Sequence, residues 1–200
     1  LTSHWHARAS INDPRRIFRN VGVPVIQIQA QNAVAVDIRR EDSDTPGDQF
    51  RRYELPGASH FDQVHFQYKP PVSDLMASAV PMREYLAVPN ECEPRVAIND
   101  FPQTYLFAAT FSNLDQWVRK GTSPPRGQPI EVKEGQRGTV NFVNDDLGIA
   151  RGGVRTPWVD VPAGAFYPNM TGEGTCRDIG YWIPFSWPRL EAIYGNYANY

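Results

Sequence analysis

The stretch "QFRRYELPGASHFD" (residues 49–62) decides how the rest of the chain is interpreted. Residues 49–55 alternate apolar and polar side chains, which is typical of a β-strand with one buried face. The Pro-Gly pair that follows marks a turn, and the small residues after it leave room for an imidazole to project. We therefore expect a strand followed by a loop that presents His60. Read from these residues alone, His60 is either a catalytic group or a surface or structural histidine.

A second strand is expected at "VPVIQIQA" (23–30), where β-branched apolar residues are interrupted by Gln27 and Gln29. The polar residues 39–48, rich in Asp with one Pro-Gly pair, indicate a loop between the two strands. The pattern is thus strand, connection, strand and a loop that bears His60.

Beyond this unit, residues 101–120 are predicted to form a helix with Asp100 as N-cap and Gly121 at its end. A hairpin or two short strands are expected over 130–143, and a short helix near Ser186. The residues near helical spacing that we expect to face the core of the longer helix are Phe101, Tyr105, Ala108, Leu114, Trp117 and Val118.

The overall composition is that of an ordinary globular chain. The net charge is −2 and charged residues make up 21%, so no basic excess indicates nucleic acid as a partner. We find no apolar run long enough to span a bilayer, and expect no membrane span. The chain begins with Leu1 rather than Met, so we expect that a preceding segment has been removed.

The four histidines and two cysteines leave few options for a metal site. His4 and His6 have the spacing of one strand face, but zinc needs three or four converging ligands and no third is found at a recognised spacing. We therefore expect no metal and no cofactor. From the residues alone, Cys92 and Cys176 are either a disulfide or two buried thiols.

Several separated blocks, in the right order, resemble the C-terminal portion of the α/β-hydrolase domain-containing proteins, a family of serine esterases. The resemblance covers nearly the whole chain from about Val21 onward. The blocks are "VPVIQIQAQNAVAV" (23–36), "FRRYELPGASHFD" (50–62), "FPQTYLFAATFSNLDQWVRKGTSPP" (101–125), "GGVRTPWVDVPAGAFY" (152–167) and "GYWIPFSWPRLEAIYGNY" (180–197).

The resemblance implies an α/β fold. Residues 1–200 would be the C-terminal part of a single α/β-hydrolase domain, with the last strands of a mostly parallel sheet, helices and a loop-rich aromatic C-terminal region. His60 would be the triad base, since the chain order in such hydrolases is serine, acid, histidine. Cys92 and Cys176 match a recurring pair, which favours a disulfide and a secreted or periplasmic protein.

Two departures from the family pattern concern the nucleophile and the acid. The sequence contains no G-x-S-x-G elbow, so we expect the serine on an upstream segment or partner chain. Related sequences tend to carry a carboxylate at the positions of Gln31 and Ala33, whereas the nearest acid here is Asp37. We expect Asp37 to be the triad acid. The alternatives are an amide at Gln31 or Asn32 that orients the imidazole, or the carboxylates of Asp42 and Asp44.

The predicted function is therefore carboxylic ester hydrolysis by a serine mechanism, with a small-molecule ester as substrate and only part of the active site on this chain. The rival prediction is a non-catalytic binding or structural relative that has lost its triad acid.

Overall fold

The computed structural model describes residues 17–34, 39–64, 77, 88, 91–134, 140–196 and 198. In chain order the elements are β1 Val25–Ala30, α1 Gln31–Val34, β2 Phe50–Leu55, α2 Gln103–Lys120, β3 Val132–Glu134, β4 Val140–Phe142, α3 Pro157–Asp160, β5 Gly164–Tyr167, a 3₁₀ helix Gly174–Asp178, β6 Tyr181–Pro184 and α4 Trp187–Tyr194.

The two strands predicted on either side of the polar loop are present and pair in parallel. The register runs from Val25 opposite Phe50 to Ala30 opposite Leu55. Every residue of β2 is buried. Because parallel strands end at the same edge of a sheet, the residues after β1 and after β2 are brought side by side.

Charged residues on β2 are buried because they pair with one another and with nearby loops. Glu54, 1% exposed, accepts from Arg39 Nε at 2.9 Å and from the Ile130 N–H at 2.7 Å. Its Oε1 also lies 2.8 Å from Arg52 Nε. Burial lowers the pKa of Arg52 from its ordinary value, and the charge of Glu54 opposes that shift. The buried carboxylate therefore compensates two arginines, the buried Arg52 and the partly exposed Arg39.

The long helix α2 confirms the predicted helix, but its capping and its buried face differ from the prediction. Pro102 occupies the N-cap position, without a side-chain capping bond, instead of Asp100. Gly121 ends the helix in a left-handed conformation, with its N–H bonded to Trp117 O at 3.0 Å, as expected.

The predicted core-facing stripe of α2 is wrong in part. Tyr105, Ala108 and Val118 are exposed, whereas the buried residues of the helix are Gln103, Thr110 and Trp117. The prediction that Trp117 is buried is confirmed, whereas Gln103 and Thr110 were missed because they are polar. Apolar spacing alone cannot reveal a buried position such as Gln103, whose side chain hydrogen-bonds Ser59 and Asp62.

Antiparallel hairpins make up most of the remaining regular structure. The predicted hairpin over 130–143 is present as β3 and β4, and residues 135–139 between them lie outside the described part. Strands β5 and β6 form a second hairpin, and α4 begins after Ser186 as predicted. The core between the parallel sheet and these hairpins contains Leu55, Ala58, Phe101, Ile149, Val159 and Phe166.

A disulfide joins Cys92 to Cys176, with an Sγ–Sγ distance of 2.05 Å. Both cysteines are fully buried and form a second apolar cluster with Met170 and Ile179. The pairing that the resemblance implied is therefore present, and it fixes the 3₁₀ helix to the segment that leads into α2.

Within the part of the chain that the structure describes, no helix is long and apolar enough to cross a membrane.

Candidate functional site

His60 lies on a turn at the carboxyl end of β2, which we call the histidine turn (residues 56–62). Ala58 and Ser59 are fully buried and Asp62 is 2% exposed, whereas the His60 side chain is exposed. Its ring contacts Phe61 edge-on, with ring centroids 4.9 Å apart. A single imidazole thus projects to the surface from a segment whose neighbouring residues are mostly in the core.

The turn can form because Gly57 adopts a backbone conformation that favours glycine. Its φ is +81°, and a Cβ added there would lie 3.1 Å from Phe166 Cβ. An L-residue at this position would be strained and would also press on the core. The glycine therefore lets the chain reverse sharply against the β5–β6 hairpin before it reaches His60.

The residue after β1 fixes the first half of the histidine turn. The Gln31 N–H donates to Ala58 O at 3.1 Å, and the Gly57 N–H donates to Gln31 Oε1 at 2.8 Å. The two bonds tie the carboxyl end of β1 to the turn through both the backbone and the side chain of Gln31.

Asn99, which precedes α2, holds the same turn from the opposite side. It is fully buried, and its Nδ2 donates to Gly57 O at 2.7 Å while its carbonyl accepts the Gln63 N–H at 2.7 Å. Its Oδ1 also accepts the N–H of Phe101 at 2.8 Å. A single side chain thus connects the histidine turn to the start of α2.

The C-terminal third of the chain completes the support. The Phe61 N–H donates at 2.7 Å to the carbonyl of Asp178, the last residue of the disulfide-bonded 3₁₀ helix. Gly180 packs so closely that an added Cβ would lie 2.6 Å from Ser59 Cβ. Segments distant in sequence therefore converge to hold the backbone on both sides of His60.

Gln103, the first residue of α2, contacts the turn on both sides of the histidine. Its Nε2 donates to Ser59 O at 3.3 Å and to Asp62 Oδ2 at 2.5 Å. Gln103 is 6% exposed, so both hydrogen bonds are shielded from water.

The predicted site residues are only partly brought together. Asp37, His4 and His6 lie outside the described residues. Gln31 is beside the histidine turn, but its side-chain oxygen binds the Gly57 N–H instead of the imidazole. Asn32 is also buried, and its Nδ2 donates to Arg177 O at 3.3 Å.

The alternative acids Asp42 and Asp44 lie at the other end of β2. Asp42 Oδ1 accepts the Arg52 N–H at 2.9 Å, and Asp44 pairs with Arg51 and with Arg126. These arginines lower the pKa of Asp44 below its ordinary value. Both carboxylates therefore belong to the amino end of the strand, whereas His60 follows its carboxyl end.

Three residues of the site were missed by the sequence analysis: Asn99, Gln103 and Gly180. The sequence offered only weak signals for them: Asn99 is a polar residue shortly before the predicted helix, and Gly180 precedes an aromatic segment. Their importance comes from contacts with residues 41 to 121 positions away, which no local pattern reports.

An aromatic cavity of about 450 Å³ lies beside the site, lined in part by Trp158, Phe166 and Trp182. Phe166 also packs against Gly57, so the cavity and the histidine turn share one wall. Within the described residues, no group of three or more His, Cys, Asp or Glu side chains could hold a metal ion.

The arrangement places an accessible, rigidly supported imidazole at the carboxyl edge of a parallel sheet, where α/β proteins commonly bind ligands. An imidazole can take and return a proton near neutral pH. A family model described as "Alpha/beta hydrolase domain" matches residues 2–200, so the chain belongs to that family. No curated protein and no solved structure matches it.

Proposed function

We propose that this α/β-hydrolase domain acts as a carboxylic ester hydrolase with His60 as its general base. The observation that carries the proposal is the contrast between the exposed His60 side chain and its buried, hydrogen-bonded neighbours. Family membership supports hydrolysis in general. The specific assignment to esters and to a serine mechanism comes from the resemblance of the sequence blocks.

In this mechanism His60 takes the proton of a serine hydroxyl as the oxygen attacks the ester carbonyl. It then returns that proton to the departing alcohol, which leaves an acyl-serine. In the second half, His60 takes a proton from water as the water attacks the acyl group, and returns it to the serine oxygen. Only ester and water are consumed, so no cofactor takes part.

The serine and the oxyanion hole belong, in this proposal, to a segment outside these 200 residues, which contain no G-x-S-x-G motif. That segment is either an upstream part of the same polypeptide or a partner chain. The present residues would then be the C-terminal part of the hydrolase domain. The buried disulfide supports an oxidising location, so we propose that the protein is secreted or periplasmic.

We propose Asp37 as the acid that accepts the Nδ1–H of His60. The amide of Asn32 is the alternative, because its Oδ1 is buried without a hydrogen-bond partner among the described residues. An amide stabilises the imidazolium less than a carboxylate does, so the two assignments predict different rates. Asp37→Asn and Asn32→Ala, assayed separately, discriminate between them.

A second candidate function is a non-catalytic binding protein on the same scaffold. The observation that favours it is that the amide oxygen of Gln31, a position where the family resemblance implies a carboxylate, accepts the Gly57 N–H of the turn. On this alternative the turn is structural and His60 performs no proton transfer.

The test uses the natural protein that contains this chain, with turnover of a short-chain aryl ester as the readout. We expect His60→Ala to reduce kcat by about 10²–10⁴-fold. Gln63→Ala is the matched control, because Gln63 is exposed, directly follows the turn, and keeps in the variant the backbone N–H that it donates to Asn99 O. Unchanged turnover in His60→Ala would exclude the catalytic role, and labelling with a fluorophosphonate would locate the serine.

A further inference from the structure

The amide nitrogen of Gln103 hydrogen-bonds the residues on both sides of His60. It reaches Ser59 O, one residue before the histidine, and Asp62 Oδ2, two residues after it. A glutamine amide nitrogen carries two protons, so each proton is directed to one side of the turn. The pair of bonds closes a short loop of chain, residues 59–62, that contains His60.

The position of this nitrogen is set by the longest helix of the described chain. Gln103 is the first of the 18 residues of α2, and its N–H bonds Phe101 O at 2.7 Å. Gln103 is 6% exposed, so its side chain is enclosed by the surrounding residues. The turn is therefore hydrogen-bonded to a side chain whose backbone is held by the helix.

The two acceptors are as enclosed as the donor. Ser59 is fully buried and Asp62 is 2% exposed. Removing the donor would take a hydrogen bond from a buried carbonyl and a buried carboxylate, and each such loss is costly where water cannot replace it. The turn would relieve that cost by rearranging, and His60 would move with it.

We propose that Gln103 is the positioning residue for the His60 base. This inference rests on the proposed function, because it assigns Gln103 a role in the same proton transfer. General-base catalysis depends on placing the imidazole within hydrogen-bond reach of the hydroxyl, and an error of about 1 Å can cost ~10²-fold in rate. Gln103 itself touches no reacting atom.

The variant that tests the inference is Gln103→Met in the natural protein that contains this chain. Methionine has nearly the length of glutamine and a similar helix propensity, but it donates no hydrogen bond. Gln116→Met is the matched control, since Gln116 lies on the exposed side of the same helix. Should Gln103→Met fail to fold, Gln103→Asn removes the reach of the side chain while keeping its polarity.

Two readouts are needed, one of which does not depend on turnover. The NMR signals of the His60 ring in histidine-labelled protein, assigned with His60→Ala, report the order of the turn directly. We expect these signals to shift or broaden in Gln103→Met and to stay unchanged in Gln116→Met. We also expect kcat to fall by about 10–100-fold with KM changed by less than about twofold.

The outcomes separate this inference from the proposed function. Unchanged His60 signals in a folded Gln103→Met variant would overturn the inference. The inference would also be overturned if Gln103→Met altered the His60 signals but left kcat unchanged, in a protein that His60→Ala inactivates. If His60→Ala retained full turnover, the proposed function would fail, and the catalytic part of the inference with it, whereas the NMR readout would still show whether Gln103 orders the turn.

Discussion

Gln31 and Gly57 are 26 residues apart, yet the side-chain oxygen of the first accepts the backbone N–H of the second at 2.8 Å. Both residues are buried, so this bond forms out of contact with bulk water. It joins the ends of the two parallel strands at the start of the histidine turn.

We therefore expect Gln31→Ala to lower the free energy of unfolding by about 1–3 kcal/mol, because the Gly57 N–H loses its acceptor in a buried site. Urea unfolding monitored by tryptophan fluorescence measures the change. Gln116→Ala, on the exposed face of α2, should change the stability little. A loss below about 0.5 kcal/mol in Gln31→Ala would show that the turn finds another acceptor.

Glu54 is expected to be one of the least tolerant positions in β2. Glu54→Gln removes the charge that compensates Arg39 and Arg52, and breaking a buried ion pair on one side typically costs about 3–5 kcal/mol. The measurement is again urea unfolding, with the exposed Glu131→Gln as control. Equal stability of the two variants would contradict the assignment of Glu54 as the compensating charge.

The two faces of α2 should respond differently to truncation of an aromatic residue. Trp117 is 1% exposed and Phe111 is 68% exposed. Trp117→Ala is expected to cost about 3–5 kcal/mol, and Phe111→Ala about 0.5 kcal/mol or less in the isolated chain. Thermal unfolding followed by circular dichroism compares the stabilities of the two variants. A larger loss in Phe111→Ala would mean that the helix buries the Phe111 face instead of the Trp117 face.

The disulfide should contribute strongly to stability because it closes a long loop. Cys92 and Cys176 are separated by 84 positions, for which the chain-entropy model gives about 4–5 kcal/mol. Cys92→Ala combined with Cys176→Ala should lower the melting temperature, and reductant should affect only the unsubstituted protein. Equal melting temperatures with and without reductant, in protein shown to be reduced, would contradict this expectation.

Acid sensitivity is expected from Asp44, whose pKa in the folded protein is lowered by Arg51 and Arg126. Since its unfolded pKa is near 3.8, the unfolded chain binds more protons at acid pH, and stability falls as the pH drops below about 4. Asp44→Asn should flatten that part of the profile and cost less than about 1 kcal/mol at pH 7, as Asp44 is substantially exposed. Urea unfolding between pH 3 and 5, and at pH 7, measures both effects. If the pH dependence of stability were the same in Asp44→Asn, the ion pairs of Asp44 with Arg51 and Arg126 would be contradicted.

The local elements were largely predictable from the sequence, whereas their packing was not. β-branched residues indicated β1, and Gly121 indicated the end of α2, because both signals act within a few residues. The buried face of α2 and the role of Asn99 depend on partners that arrive from distant segments. Apolar periodicity describes how a helix meets an apolar core, and Gln103 meets a carboxylate and a carbonyl instead.

Within the candidate site, His60 could be singled out from the sequence, but the contacts of the residues around it could not. His60 could be singled out because it follows a strand and small residues, and the family blocks surround it. The assignment of Asp37 stays a prediction, as that residue lies outside the described part of the chain. The hydrogen-bond partners of Gln31 and Asn32 could not be predicted from the sequence, since an amide at the end of a strand can bind the backbone or an imidazole equally well.

The contact of Gly180 with Ser59 also has a consequence for the order of events during synthesis. Strands β1 and β2 are synthesised before the histidine turn, but two of its supports, Asp178 and Gly180, are synthesised only 118 and 120 residues after His60. More than a hundred residues are therefore synthesised after His60 before either of these supports is present. Release or cleavage of the chain ahead of Asp178 would therefore yield a product with the histidine but without its finished turn.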